Sequence, residues 1–371
     1  MARRILFGTS SWGLGHATRD LVLIRALLEA GCEVTVVATG PALKVLRGEL
    51  GERCDYLDWP DMPSTISRST IGFYVKTISF IPRIFLAWFD EKRRLRKLLR
   101  DRPIDVVISD HRYGLVTDAV PCFFISHSPR YIAPWRSWFM ETCMELFVAA
   151  WLRPAEKLLV PDHDQRGLSG DMSHKTRFFP REKMVFLGQL SSLSLPDDPP
   201  GQDIDTFISI SGPEPQRTRF QAKVLGQLGR LKGRTVVTLG LPGREPPRVK
   251  DVPANVEIHA YLGRAEQQRM MLRSRLVVCR SGYTTLMELA ELGRPALLVP
   301  TPAQTEQLYL AKTLREQGLF HSVKQSELDL SRDIPLARER PGYQGPAPTR
   351  TSAERFLETV LEVESAGVRG S

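Results

Sequence analysis

The segment RILFGTSSWGLGHATRDLVLIRALLEAGCEVTVVAT, from Arg4 to Thr39, holds one complete strand, helix and strand. RILFGTS is an apolar run of strand length. Ala17, Leu21, Ile24 and Leu28 then recur at helical spacing in a helix expected to begin near Ala17, Gly31 stops it, and EVTVVAT supplies the next strand. A strand, a crossover helix and a second strand connect parallel neighbours, so the segment predicts an α/β domain with a parallel sheet. IDVVIS (Ile104–Ser109), CFFIS (Cys122–Ser126), KLLV (Lys157–Val160) and MVFL (Met184–Leu187) extend the same series.

Beyond Gln189 the run LSSLSLPDDPPGQDID breaks every core pattern with Pro, Asp and Gly and reads as a linker. A second α/β series follows, with strands at TFISIS (Thr206–Ser211), RTVVTL (Arg234–Leu239), VEIH (Val256–His259), RLVVC (Arg275–Cys279) and ALLV (Ala296–Val299). The expected division is a first domain over 1–190, a linker over 191–205, a second domain over 206–330 and a Pro/Arg-rich segment with a terminal helix over 331–371. Thr351 and Glu354 suggest a capping box ahead of Phe356, Val360 and Val363.

The 371 residues suffice for two domains, and 42% hydrophobic with 25% charged residues is an ordinary globular composition. The 51 Lys and Arg exceed the 42 Asp and Glu, and the net charge of +9 favours acidic partners: phosphates, anionic lipids or nucleic acid. No RNA-recognition or zinc-finger pattern accompanies the charge, so nucleic acid is not expected. The five cysteines are dispersed without a CxxC pair, which fits a reduced cytoplasm, and the first residues lack the apolar core of a signal peptide. Ile71–Phe89 has the length of a membrane span but contains Lys76, Pro82 and Arg83, and is rejected as one.

Two turns stand out. After the first strand comes Gly8-Thr-Ser-Ser-Trp-Gly13-Leu-Gly15-His16, where glycines admit a ligand close to the backbone and a helix N-terminus offers N–H groups to an anion. Leu14 replaces the Walker lysine and Thr18 the third glycine of a dinucleotide fingerprint, so neither motif is met. His16 is then a candidate base; the alternative is a capping histidine beside a packing turn. The second turn is VVCRSGYTTLMELAELG, Val277 to Gly293, where Thr284 and Thr285 open a helix beside Ser281 and Gly282. Glu288, three residues beyond Thr285, shares its helical face and can accept two hydroxyl hydrogen bonds from a ribose. Gln304, Glu306 and Gln307 follow in a polar loop, suited to sugar hydroxyls or to a solvated helix start.

The order of these motifs, GLGHATR in the first half and VVCRSGYTTLMELAELGRPALLVP with Gln307 in the second, resembles the GT-B glycosyltransferases. It is most similar to glycosyltransferase family 28 and the UDP-N-acetylglucosamine transferases of the lipid-linked peptidoglycan pathway, and closest to a poorly characterised prokaryotic subgroup. The resemblance implies two Rossmann-like domains facing a central cleft, and an inverting, metal-independent transfer from a UDP-sugar to a hydroxyl acceptor, with no cofactor. It places Glu288 on the ribose, Ser281, Gly282 and Thr285 near the diphosphate, Glu306 and Gln307 on the donor sugar, and Tyr261 and Leu262, just before the RLVVC strand, at the base. Ser211 and Gly212 would approach the phosphates, while Gly13, Gly15 and His16 would meet acceptor and reacting centre. Asp110 and His127, at the ends of their strands, are alternative bases or partners orienting His16; turn hydrogen bonding and capping are their other readings. The DxD strings Asp162–Asp164 and Asp203–Asp205 are not expected to hold a metal.

Two alternatives share the fold: a UDP-N-acetylglucosamine 2-epimerase, which needs no acceptor, and a non-catalytic sugar-nucleotide-binding subunit. Residues 73–100 remain, where aromatics precede the basic run EKRRLRKLLR. If this stretch touches an anionic membrane the enzyme is peripheral at the inner face and its acceptor lipid-linked; otherwise the apolar part is core and the basic part a solvated helix face.

Overall fold

The computed structural model describes residues 2–63, 70–133, 136–243, 245 and 251–362. Side chains 70, 71, 73–75, 77 and 78 lie outside the described set, and with them the Phe73 end of the expected membrane-facing stretch; so does Val363.

The chain forms two compact units: residues 1–65, 75–192 and 346–371 in one, 66–74 and 193–345 in the other. The first contains strands β1 (Arg4–Thr9), β2 (Glu33–Ala38), β3 (Asp55–Asp58), β4 (Val106–Asp110), β5 (Cys122–Ile125), β6 (Lys157–Val160) and β7 (Met184–Phe186). They form a sheet in the order β3-β2-β1-β4-β5-β6-β7, and every pairing is parallel. Its helices include α1 (Leu14–Glu29), α2 (Gly40–Leu50), α3 (Thr70–Asp101, assigned here from Val75), α4 (Trp138–Trp151) and the short α5 (Asp171–His174).

Strand residues alternate between the two faces of this sheet. Ile5, Phe7, Val34, Val36, Val106 and Ile108 pack with α1 and α2, whereas Leu6, Val37 and Val107 pack with Leu95 of α3 and Leu115. Burial on both sides is what a parallel sheet requires.

The second unit contains β8 (Thr206–Ser209), β9 (Thr235–Thr238), β10 (Val256–His259), β11 (Val277–Cys279), β12 (Ala296–Leu298) and β13 (His321–Ser322), with helices α6 (Gln216–Leu225), α7 (Arg264–Arg273), α8 (Tyr283–Glu291), α9 (Thr305–Glu316) and α10 (Leu330–Arg338). The order is β10-β9-β8-β11-β12-β13, again wholly parallel. Phe220 and Val224 of α6 and Leu330 and Ile334 of α10 cover one face of it.

Helix α10 forms over the start of the Pro/Arg-rich segment with Pro335 inside, its N-terminus capped by the Asp329 carboxylate accepting from the Ser331 N–H. Two expectations change. The terminal helix α11 (Thr349–Leu361) begins two residues before the expected capping box: Pro348 stands at its N-cap, Thr351 lies within the first turn, and Glu354 pairs with Arg350. Thr349 instead accepts the Ser191 N–H through its hydroxyl, and Phe356 and Val360 enter the first unit's core. Finally, α1 begins at Leu14, so Gly15 and His16 lie in its first turn, and Gly13, with φ 143°, makes the bend alone.

Phe356→Ala should therefore destabilise the first unit by about 3–5 kcal/mol through the cavity it leaves, read as a lower urea midpoint, while Glu354→Ala leaves that midpoint in place.

Candidate functional site

In an open parallel sheet, ligands bind outside the carboxyl ends of the strands where the order reverses. In the first unit that point lies between β1 and β4, whose register sets Thr9 beside Asp110. The chain leaving β1 turns at Gly13 into α1, and His16 in its first turn meets Asp110 at the end of β4. His16 Nδ1 is 2.7 Å from Asp110 Oδ2. Asp110 is fully buried, while the His16 side chain keeps 19% of its surface exposed. An ionised Asp110 accepts the Nδ1–H, which leaves Nε2 as the basic nitrogen.

Arg19, one turn further along α1, donates through Nη2 to both Asp110 oxygens at 2.6 and 2.7 Å. Burial alone would raise the Asp110 carboxyl; Arg19 and then His16 outweigh it and hold the group well below the usual carboxylate range. Asp20 is the opposite case: burial first, and the Asp110 charge second, push its carboxyl well above that range.

His111 adopts a left-handed backbone with φ 55° and sets its ring 5.1 Å from that of His16, edge to face. Burial, followed by the proximity of His16, pushes its imidazole well below the ordinary value, so it stays neutral. His127, buried at the end of β5, lies 5.9 Å from His111, ring to ring. Asp110 and His127 are thus gathered near His16, with Asp110 bonded to it and His127 behind His111. Arg19, Asp20 and His111 were not singled out from the sequence. Arg19 and Asp20 lie inside the segment quoted from Arg4 to Thr39 and His111 directly follows Asp110, and only the packing of α1 on the β4 end distinguishes them from surface residues.

In the second unit the order reverses between β8 and β11. Ser211 and Gly212 follow β8, and Gly212 has φ 112°, a conformation that favours glycine. After β11, Gly282 occupies the N-cap of α8 without a side-chain cap, which leaves first-turn N–H groups open to an anion. Thr284 and Thr285 lie in that first turn. The Ser281 hydroxyl is buried and donates to the Gln307 carbonyl at 2.9 Å. The Gln307 side-chain carbonyl accepts the Thr301 N–H at 2.8 Å, so its amide NH2 is the part turned toward Gly282. Glu306 lies in the first turn of α9.

Glu288 is partly buried one turn behind Thr285, and its desolvation, opposed by the charge of Arg264, pushes the carboxyl up to about 7. Tyr261 is exposed and Leu262 buried in the loop after β10; α7 separates them from β11, so they do not stand just before that strand as expected. The carboxylates of the DxD strings are engaged elsewhere. Asp162 accepts from the backbone of His163, Leu168 and Ser169, Asp164 pairs with Arg181, and Asp203 and Asp205 pair with arginines 234, 273 and 275.

Two doubly wound parallel sheets, each with glycine turns at its reversal point, define the GT-B class of α/β protein. The calicheamicin glycosyltransferase CalG4 has the same fold, with a TM-score of 0.65 at 16% identity over 99% of this chain and 95% of that one. Residues 242–341 match the glycosyltransferase family 28 C-terminal domain. An uncharacterized glycosyltransferase of Methanosarcina acetivorans is 26% identical over 328 residues, 82% of each chain. A UDP-N-acetylglucosamine--N-acetylmuramyl-(pentapeptide) pyrophosphoryl-undecaprenol N-acetylglucosamine transferase of Caldanaerobacter subterraneus is 36% identical over 66 residues, 17% of this chain and 18% of that one. The chain is a family 28-like glycosyltransferase with the GT-B fold.

Removing one member of a buried ion pair leaves the other uncompensated. Asp110→Asn and Arg19→Met should each cost about 3–5 kcal/mol of first-unit stability. The double variant should lose clearly less than the sum in urea unfolding; additive losses would dissolve the pair.

Proposed function

We propose that this glycosyltransferase moves a sugar from a UDP-sugar, UDP-N-acetylglucosamine in the first instance, to an acceptor hydroxyl, with inversion and without a metal ion. The observation that carries this reading is the buried Asp110 on His16 Nδ1, which fixes the tautomer and presents Nε2 as a base. In the reaction the acceptor oxygen attacks the anomeric carbon and its proton passes to His16 Nε2. The bond from that carbon to the β-phosphate oxygen breaks, and the electron pair leaves with UDP. Asp110 stabilises the imidazolium that forms. The charge growing on the diphosphate is met by the Gly212 turn and by the α8 N-terminus at Gly282 and Thr285. Glu288 takes the ribose hydroxyls, Tyr261 and Leu262 border the base, and Gln307 offers its amide NH2 to the donor sugar.

We infer further that the acceptor is lipid-linked and that the first unit docks on an anionic membrane surface. The support is the division of α3 and α4 into an inner aromatic face and an outer apolar one. Trp88 is buried and its ring lies within stacking distance of Tyr113, Phe147 and Trp151. On the outside, Leu86 and Phe89 of α3 are exposed, as are Trp138 (69%) and Phe139 (70%) of α4. Arg93, Arg94, Arg96 and Lys97 follow on the exposed side of α3. Apolar side chains beside a basic run suit insertion at an anionic interface. No helix among the described residues is long and apolar enough to cross a membrane.

Calorimetry and turnover separate the two halves of the assignment. His16→Ala should lower transfer about 10²–10⁴-fold while UDP binds as before, and Glu288→Gln should weaken UDP; normal turnover by a folded His16→Ala protein would remove His16 as the base. On vesicles of phosphatidylcholine with phosphatidylserine, the wild-type protein should sediment, and a Leu86→Ser, Phe89→Ser, Trp138→Ser, Phe139→Ser variant should stay in the supernatant. Equal sedimentation of both would overturn the docking face.

A further inference from the structure

Arg280, the first residue after β11, is 2% exposed. Its five N–H donors meet five neutral oxygens. Nε donates to the Ser211 carbonyl at 3.3 Å, and Nη1 to those of Val299 and Pro300 at 3.0 and 3.3 Å. Nη2 donates to the Gln216 carbonyl at 3.2 Å and to Gln325 Oε1 at 2.7 Å. The guanidinium carbon stands 4.2 Å from the centre of the Phe220 ring. Among the described residues no carboxylate forms an ion pair with it. Buried arginines ordinarily have such a partner, because desolvating an uncompensated cation is costly.

What lies beside this cation is the glycine turn after β8. A Cβ added to Gly212 would stand 3.7 Å from Arg280 Nε and 3.6 Å from Thr301 Oγ1, close enough to border one small cradle with both. The Thr301 hydroxyl is buried there without a hydrogen-bond partner. A trans peptide points its N–H opposite to its carbonyl, so anchoring the Ser211 carbonyl on Arg280 turns the Gly212 N–H away from the arginine. The same guanidinium fixes the carbonyls of Val299 and Pro300, which precede Thr301, and thereby ties the β8 and β12 ends to one point.

We propose that Arg280 is the positioning residue of this cradle: it holds the Gly212 turn and the Thr301 loop in place, and its unbalanced charge takes the donor's diphosphate as its counter-ion. The inference rests on the donor site described above and adds to it a residue that need not touch the ligand, since all its N–H groups are already engaged. Burial brings the Arg280 guanidinium down to about 10, so it remains charged at neutral pH. The Thr301 hydroxyl is the direct contact, left open until a phosphate oxygen accepts from it.

The discriminating measurement is calorimetric affinity for UDP and for uridine, which lacks the diphosphate, on wild-type, Arg280→Gln, Arg280→Lys and Thr301→Val proteins. The ratio of UDP to uridine affinity should fall about tenfold or more in Arg280→Gln with uridine binding retained. Arg280→Lys should recover part of the loss, and Thr301→Val should lower the ratio severalfold. A purely structural arginine would reduce both affinities together and leave the ratio at its wild-type value, which overturns the proposal. If Arg280→Gln does not fold, wild-type ratios in both Arg280→Lys and Thr301→Val overturn it equally. Failure of the wild-type protein to bind UDP, TDP or GDP would instead remove the donor reading and this inference with it.

Discussion

Each sheet of this protein reverses its strand order once, and the placement of chemistry depends on that reversal. Helices leaving adjacent strands in opposite directions open a gap at the carboxyl ends, where backbone groups are not taken up by the ladder. The β1 and β4 register brings Thr9 level with Asp110, and α1 then has only to turn at Gly13 for His16 to reach that carboxylate. At the second reversal, β8 and β11 deliver the Gly212 turn and the Arg280-Ser281-Gly282 segment to neighbouring strand ends. A shift of one residue in either ladder would turn these side chains toward the opposite face of the sheet.

The two units handle buried charge differently. In the first, charges are balanced locally: Asp110 by Arg19, and Glu91 of α3 by Arg112, whose Nε donates to it at 2.6 Å. Arg112 further donates to the carbonyls of Trp59 and Pro60, which joins α3 to the loop after β3. The first of these pairs holds the Asp110 carboxylate against His16 and so orients the imidazole before any substrate arrives. In the second unit the Arg280 cation is solvated by carbonyl dipoles alone, while Glu288 is desolvated enough to titrate near 7. A site whose charge is completed by its ligand gains electrostatic energy on binding that a balanced site does not, and a dianionic diphosphate is suited to supply it.

The helices α3 and α4 show how one amphipathic stretch serves packing and surface together. Trp88 and Leu95 enter the interior, whereas Leu86 and Phe89, at different angles around the same helix, are exposed. An aromatic layer shared by Phe85, Phe147 and Trp151 anchors α4 on α3, and the large exposed side chains of Trp138 and Phe139 extend from the start of α4. The exposed rings of Phe89, Trp138 and Phe139 are the imbalance on which the proposed docking face rests.

The alternation of apolar strand runs with helical periodicity was legible from residue order, and with it two α/β units, eleven of the thirteen strands among the described residues and the glycine turns, because periodicity and turn chemistry are local properties. The two strands that escaped notice, DYLD of β3 and HS of β13, are short and polar, and are strands only because a neighbour offers them a ladder. Motif strings marked His16, Asp110, Gly212, Gln307 and Glu288 as candidates but could not say which would meet. Only the tertiary structure decided that Asp110 orients His16, that Ser281 faces inward to Gln307, and that an arginine within VVCRSG is sealed among five neutral oxygens. Those outcomes depend on burial and on contacts between residues as many as 94 positions apart. The same side chain in water and in the interior differs by several kcal/mol in the cost of its charge, and no local pattern encodes which environment it will find.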